Sequence, residues 1–387
     1  VIGSIVRHPR YGRGRVVGSA RVGGELQIFF FDRGVTLGVS RLSVVAEGEP
    51  PRRRRIEPPG PPPSMQCREM TEALKLGVVP ARFVSEFTCG RRAEIEAIER
   101  WLAGDAGALA VAGEYGSGKS HMLEYAQRLA MDAGWAVARA ELDPEDAAPH
   151  NPFRVYRELV RGFRAPGDLD FRGVVEAAAG RGLLRDHIFF GPVVDRIRQG
   201  AATEEMWRWI EGERAGPNPF GPTMHDHTTA ANLYCNLLTG LAHAAGGAAG
   251  LKGLVVALDE AESAGSPWLY LYQRERGPLF LEGLVRCAGD APGLVSEVVA
   301  RSKVDPTGPY RGVKTRLLYS GHNQASYAYR LPTNLKLLMA VAPAYSMVRW
   351  LKDRGVPALE LDPLPEAALR EAYERLFSLY RDAFPDH

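Results

Sequence analysis

Eight consecutive residues, Gly113-Glu114-Tyr115-Gly116-Ser117-Gly118-Lys119-Ser120, fit the pattern GxxxxGK[ST]. They follow a short apolar strand at 108–112 and open a helical stretch. Glycines at these positions let a loop wrap closely around a polyphosphate. Backbone N–H groups then point inward, and the start of the helix adds positive potential. Lys119 can bridge the outer phosphates, and the Ser120 hydroxyl suits Mg²⁺, which prefers oxygen ligands. Nucleotide contacts are expected from all eight residues and from His121, which follows them. A second motif, Leu254-Val255-Val256-Ala257-Leu258-Asp259-Glu260, is an apolar strand ending in two carboxylates. Asp259 would hold Mg²⁺ through water, and Glu260 would orient and polarise an attacking water. Lys119 and Glu260 are thus the expected catalytic pair, with ATP and Mg²⁺ as cofactors. No NKxD motif is present to read guanine.

Charge at the γ-phosphate can also be stabilised by an arginine from a neighbouring subunit. Arg274, Arg276 and Arg286 lie just beyond the acidic strand end, and Arg330 is a further candidate. Each could equally be a surface ion-pair residue. Thr88-Cys89-Gly90-Arg91-Arg92-Ala93-Glu94 precedes the first helix of this region. Phe87, Gly90 and Arg91 are candidates for the base pocket, and the alternative is a simple helix cap.

Strands and helical patterns alternate from residue 65 onward, which predicts an α/β fold with a mainly parallel sheet. Strands are expected at 108–112, 135–142, 253–258 and 335–342. Helices are expected at 93–102, 120–133, 152–163, 230–245 and 365–383. Lys119 and Glu260 are 141 positions apart, far more than the roughly 30 residues of one crossover unit. The excess predicts a helical insertion at 165–225. It holds Met206-Trp207-Arg208-Trp209-Ile210, either a stacking or partner platform or a small core. His225-Asp226-His227 has too few ligands for a metal site.

Residues 1–45 read instead as a five-strand all-β unit with glycine-rich turns. Closing into a barrel is the best way for so small a sheet to lose its edges. Residues 46–64 form a linker, with seven prolines between 50 and 63 giving an extended spacer. Charge is uneven. The first 64 residues carry a net +6 of the chain's +2, so the remainder is mildly acidic. Arg7, Arg10, Arg13, Arg15 and the run Arg52-Arg53-Arg54-Arg55 are therefore candidates for an anionic partner such as nucleic acid. A solvated rim is the alternative, since arginine is abundant along the whole chain.

The chain has 387 residues, 45% hydrophobic and 24% charged. Those values exclude wholesale disorder and a fibrous repeat. Four cysteines without a CxxC pair argue against a disulfide framework or structural zinc and fit the cytoplasm. No apolar run reaches the length of a membrane span. The sequence begins with Val1 and stops within a helical pattern, so one or both natural termini are expected to lie outside it. The segment 364–387 would be the start of a truncated helical lid.

Three resemblances add to this. The pattern Gly3-x-x-Val6-x-His8-Pro9-x-Tyr11-Gly12-x-Gly14-x-Val16 with an aromatic strand after it resembles SH3-like or Tudor-like barrels. Such barrels occur in UvrD-like helicases and CarD-like transcription factors, which implies RNA polymerase or nucleic acid as a partner. Gly90-Arg91 and Glu94 resemble the opening of AAA+ and STAND ATPase cores, which packs near adenine. The order of TEALKLGVVP, FTCGRRAEIEAIERWL, GEYGSGKSHML, ARAELDP, FRVYRELV and GLVVALDEAES resembles the ATP-binding proteins of BREX-type phage-defence systems. That implies an AAA+/STAND-like ATPase core of the ASCE P-loop type acting with other defence proteins, and a homo-oligomer is expected when ATP is bound. One departure is visible: Leu337 to Pro343 offers no polar sensor at the strand end, and Ser346 is the nearest hydroxyl. The expected activity is therefore Mg²⁺-dependent ATP hydrolysis on or near DNA. The rival readings are a nucleotide-gated scaffold with little turnover and an adaptor whose barrel is the active part.

Overall fold

The structure is a computed structural model that describes residues 5–8, 11–19, 25–30, 35–40, 45–46, 63–75, 83–224, 231–295, 329–343 and 347–384. The chain divides into two units, Val1–Pro61 and Pro62–His387.

The first unit is an antiparallel sheet of β1 (Ile5–His8), β2 (Gly12–Ser19), β3 (Glu25–Phe30), β4 (Val35–Ser40) and β5 (Val45–Ala46), in the order β4-β3-β2-β1-β5. Alternation along the strands gathers Val6, Leu26, Ile28 and Val39 into a small core. The β1–β2 hairpin is tighter than expected, with His8 paired to Gly12 inside the predicted turn. The expected closed barrel is not shown by the described residues, in which β4 pairs with β3 and β5 with β1 as the outer strands of a small antiparallel sheet.

The second unit begins with helix α1 (Pro63–Lys75), whose first two residues fall inside the predicted linker. Proline is well suited to the first helical turn, where its missing N–H has no partner to lose. Then come α2 (Val84–Phe87), α3 (Arg92–Ala103), β6 (Ala108–Ala112), α4 (Lys119–Asp132), β7 (Ala136–Glu141) and α5 (Pro152–Arg161). Helices α6 (Phe171–Gly180), α7 (Phe190–Arg198) and α8 (Glu204–Ile210) fill the expected insertion, followed by α9 (Ala231–Ala248). The chain continues as β8 (Leu254–Asp259), α10 (Leu271–Ala288), β9 (Leu335–Val341), α11 (Met347–Lys352), β10 (Ala358–Glu360) and α12 (Glu366–Ala383).

The five strands of this unit are all parallel, in the order β10-β6-β9-β8-β7. Parallel sheets are buried on both faces, and here alternate residues face two separate cores. Leu109, Val111, Val137, Val255, Ala257, Leu338 and Ala340 meet α3 and α4. Ala110, Ala138, Val256, Leu258, Leu337 and Met339 meet the other face, with α5, α9, α10 and the insertion. Met206, Trp207, Trp209 and Ile210 are buried in that second core. The tryptophans are therefore packing residues rather than an exposed platform. His225, Asp226 and His227 lie outside the described residues, among which no group of three ligands could hold a metal. Among the described residues no helix is long and apolar enough to cross a membrane.

Candidate functional site

Strand β6 is buried along its whole length and delivers the chain at Ala112 to the carboxyl edge of the sheet. That edge is where open α/β sheets bind ligands. The loop 113–118 then turns through two left-handed glycines, Gly116 (φ 80°) and Gly118 (φ 93°). Both face open space, so the requirement is conformational rather than steric. Gly113 is different: a methyl there would strike the Ser117 side chain. The Gly113 N–H donates to Val341 O at 3.2 Å, tying the loop to β9. Helix α4 starts at Lys119 with no side-chain cap on its free N–H groups. The Lys119 ammonium is buried, donates to Glu114 O at 3.0 Å and lies 5.1 Å from the centre of the Tyr115 ring. Ser120 beside it is exposed. The Ser117 hydroxyl is buried with no hydrogen-bond partner. A buried hydroxyl without a partner beside the uncapped start of α4 fits an anionic ligand.

A cleft of about 520 Å³ opens beside this loop, lined by Phe87, Thr88, His121, Leu361, Leu364 and Leu369 among others. Its wall is mostly apolar, as a planar base requires. Arg91 lines it too, but its guanidinium is committed to Ser117 O at 2.9 Å and Glu94 Oε1 at 2.8 Å. Arg91 therefore braces the loop. Gly90 stands behind the cleft: its φ is 65°, and a methyl there would strike the Ala368 methyl of α12. The Thr88 hydroxyl donates to Val84 O at 2.7 Å, so its contact with His121 Nε2 at 2.8 Å is an N–H donated by the ring. Burial, and then the nearby Arg91 charge, push His121 below its ordinary pKa, against a weaker pull from Glu124. The helix expected at 365–383 is α12, whereas Leu361 and Leu364 had no motif to announce them. Their signal is only an apolar stretch spaced by Pro363 and Pro365.

The acidic strand end sits two ladders away from β6. Strand β9 lies between β6 and β8, which puts their ends about 10 Å apart. Asp259 is 2% exposed. Its Oδ1 accepts the Glu260 N–H at 3.1 Å and its Oδ2 meets Arg139 Nη2 at 3.1 Å. Glu260 is exposed and takes a left-handed backbone (φ 52°) that turns the chain off β8. Burial pushes its carboxyl up, the carboxylates of Glu141, Glu262 and Asp259 push it further, and Lys119 pulls the other way. Lys119 is thus among the charges that act on Glu260. Arg139 was missed: one arginine inside an apolar strand carries no motif.

The arginine candidates disperse. Arg274 and Arg276 lie in the first turns of α10, with Arg276 5.3 Å from the centre of the Tyr272 ring. Arg286 is in the last turn of the same helix, about 18 Å further along its axis. Arg330 pairs with Asp186 and lines a different cavity with His187 and His243. In the first unit, register sets Arg7 opposite Arg13 and Arg15 opposite Ile5. Arg10, Arg52, Arg53, Arg54, Arg55 and Ser346 lie outside the described residues.

No curated protein matches this chain. Residues 63–171 match the model of a family described as BREX system ATP-binding protein BrxC/D. The matched stretch runs from α1 to the first residue of α6 and includes β6, the glycine-rich loop and α4. Across it, the chain is similar to an ATP-binding component of a BREX system.

Proposed function

We propose that the second unit is an AAA+/STAND-like ATPase of the ASCE P-loop type, serving a BREX-type antiviral defence complex. The observation that carries this is the shared sheet edge: β6 delivers the glycine-rich loop and β8 the Asp259-Glu260 pair to the carboxyl ends of parallel strands separated by β9 alone. On this reading the N–H groups of Gly116, Gly118, Lys119 and Ser120 hold the phosphates, and Lys119 leaves Glu114 O to reach the outer ones. The apolar cleft takes the base, with Arg91 and Glu94 fixing the loop from behind. Ser120 and Asp259 offer hard oxygen donors, which suit Mg²⁺ held together with phosphate oxygens rather than in a protein cage. Bound there, Mg²⁺ would neutralise charge developing on the phosphates. Glu260 orients the attacking water and accepts its proton.

The setting follows from the matched family and the sequence. Partners are other defence proteins in the cytoplasm, a second copy of the chain, and DNA or RNA polymerase met through the basic first unit. A purified full chain should hydrolyse ATP in Mg²⁺, with turnover raised by single- or double-stranded DNA. Lys119→Ala should abolish nucleotide binding. Glu260→Gln should keep binding and lose turnover by about 10²- to 10⁴-fold. Turnover that survives either change removes the assignment. One observation favours a nucleotide-gated scaffold instead: β9 ends at Val341-Ala342-Pro343 without a polar side chain to sense the outer phosphate. Tight binding with no turnover, alone or with DNA, would select that reading.

A further inference from the structure

Arg139 interrupts β7 beside the acidic end of β8. Strand alternation puts it on the α4 face with Val137, and register sets Glu141 against Asp259. Its guanidinium is divided between two carboxylates. Nη1 meets Glu124 Oε2 at 2.6 Å, and Nη2 meets Asp259 Oδ2 at 3.1 Å. Glu124 stands on α4, the helix whose first residue is Lys119. Gln127 at 3.3 Å and Arg164 at 3.4 Å also hold Glu124. The carboxylate best placed to serve a nucleotide-bound cation is thus buried and already has a cation on it.

We propose that Arg139 is a positioning residue that acts as a stand-in counter-ion for Asp259. It neutralises the carboxylate while no metal is present and withdraws onto Glu124 when Mg²⁺ arrives. This rests on the nucleotide-binding reading above. The distances set the direction of the exchange: the longer bond, to Asp259, is the one that yields. A planar guanidinium with several donors can turn fully onto Glu124 without being left unpaired. Because Glu124 lies on α4, the exchange also ties metal loading to the helix that presents the phosphate-binding N–H groups.

The test titrates Mg²⁺, starting from EDTA, into the full chain with a fluorescently labelled, non-hydrolysable ATP analogue. The readout is the Mg²⁺ concentration at half-maximal tightening. Arg139→Gln removes the competitor and should lower that midpoint by about tenfold. Glu124→Gln leaves Arg139 with Asp259 alone and should raise it. Arg139→Lys, which keeps the charge, should stay near the wild-type midpoint. A purely architectural arginine would weaken the analogue equally in Mg²⁺ and EDTA and would move both neutral variants the same way or not at all. Either of those results overturns the proposal. Thermal melts in EDTA identify a variant that fails to fold, in which case the sign of the shift in the other decides. Wild-type protein that binds no analogue overturns the nucleotide reading itself. Binding with unmoved midpoints overturns only the role of Arg139.

Discussion

On the proposed reading Glu260 must be ionised to accept a proton, yet three other carboxylates act on it. Its raised pKa means that the charged form is lost at a higher pH than for an ordinary glutamate. Activity is therefore expected to fall on acidification earlier than an unperturbed carboxyl would dictate. Glu141→Gln removes one of the repelling charges, makes ionisation easier and should move the acid limb to lower pH. A pH profile of kcat/KM reads this directly, and a limb that stays in place would exclude the electrostatic account. His121 titrates the other way: its neutral form is favoured and already donates to Thr88, so its protonation belongs to more acidic solution than usual. At this scale the sequence offered candidates wherever chemistry demands a fixed spacing, as in 113–120 and 259–260. It was silent on Arg139, because an ion pair between positions 120 residues apart depends on strand register.

Two elements depend on single residues for their seating. Lys336 of β9 is buried and its ammonium donates to Trp101 O, Gly104 O and Ala106 O at 2.8–3.0 Å, closing the carboxyl end of α3. It also lies over the Trp101 and Trp135 rings, and burial holds its pKa below the ordinary lysine value. Lys336→Met keeps the length but leaves three carbonyls unpaired. It should destabilise the unit by roughly 2–3 kcal/mol, measured by urea unfolding. Gly90 seats α12 against the α2–α3 turn, with Arg375 donating to Glu86 O at 2.6 Å nearby. Gly90→Ala combines a left-handed backbone with a methyl clash and should cost about 2 kcal/mol. It should also weaken nucleotide binding, because Leu369 and Ala372 of α12 line the cleft. Equal stability and affinity in that variant would show that α12 moves aside freely. Buried strands and amphipathic helices were legible because their periodicity is local. Helix α10 was not, since Gly277 and Pro278 in its middle read as breakers. Strand β10 is three residues, exposed at Ala358 and Glu360 and half-buried only at Leu359, without an apolar run. Barrel closure is a different matter: it is decided by pairing between the outermost strands, and no residue pattern specifies it.

At the scale of the whole molecule, each unit owns its core. Val6, Leu26, Ile28 and Val39 serve the first, and the second is built on both faces of its parallel sheet. A protein starting at Pro62 is therefore expected to keep the melting transition and nucleotide affinity of the second unit, checked by calorimetry and analogue binding. Loss of DNA stimulation in that truncation would assign the basic first unit its partner. Helix α1 has a further significance. It is the first helix after the proline-rich spacer, its Leu74 lines the cleft, and Arg68 donates to Ala383 O at 2.7 Å while lying over the Phe384 ring. The proline-rich stretch of the sequence thus leads into a helix that is both a wall of the cleft and the seat of α12. On the proposed nucleotide reading, tension entering at α1 is expected to act on the cleft. Labelled-nucleotide dwell times should shorten as force is applied between the first unit and the end of α12, which would make the tether a mechanical release.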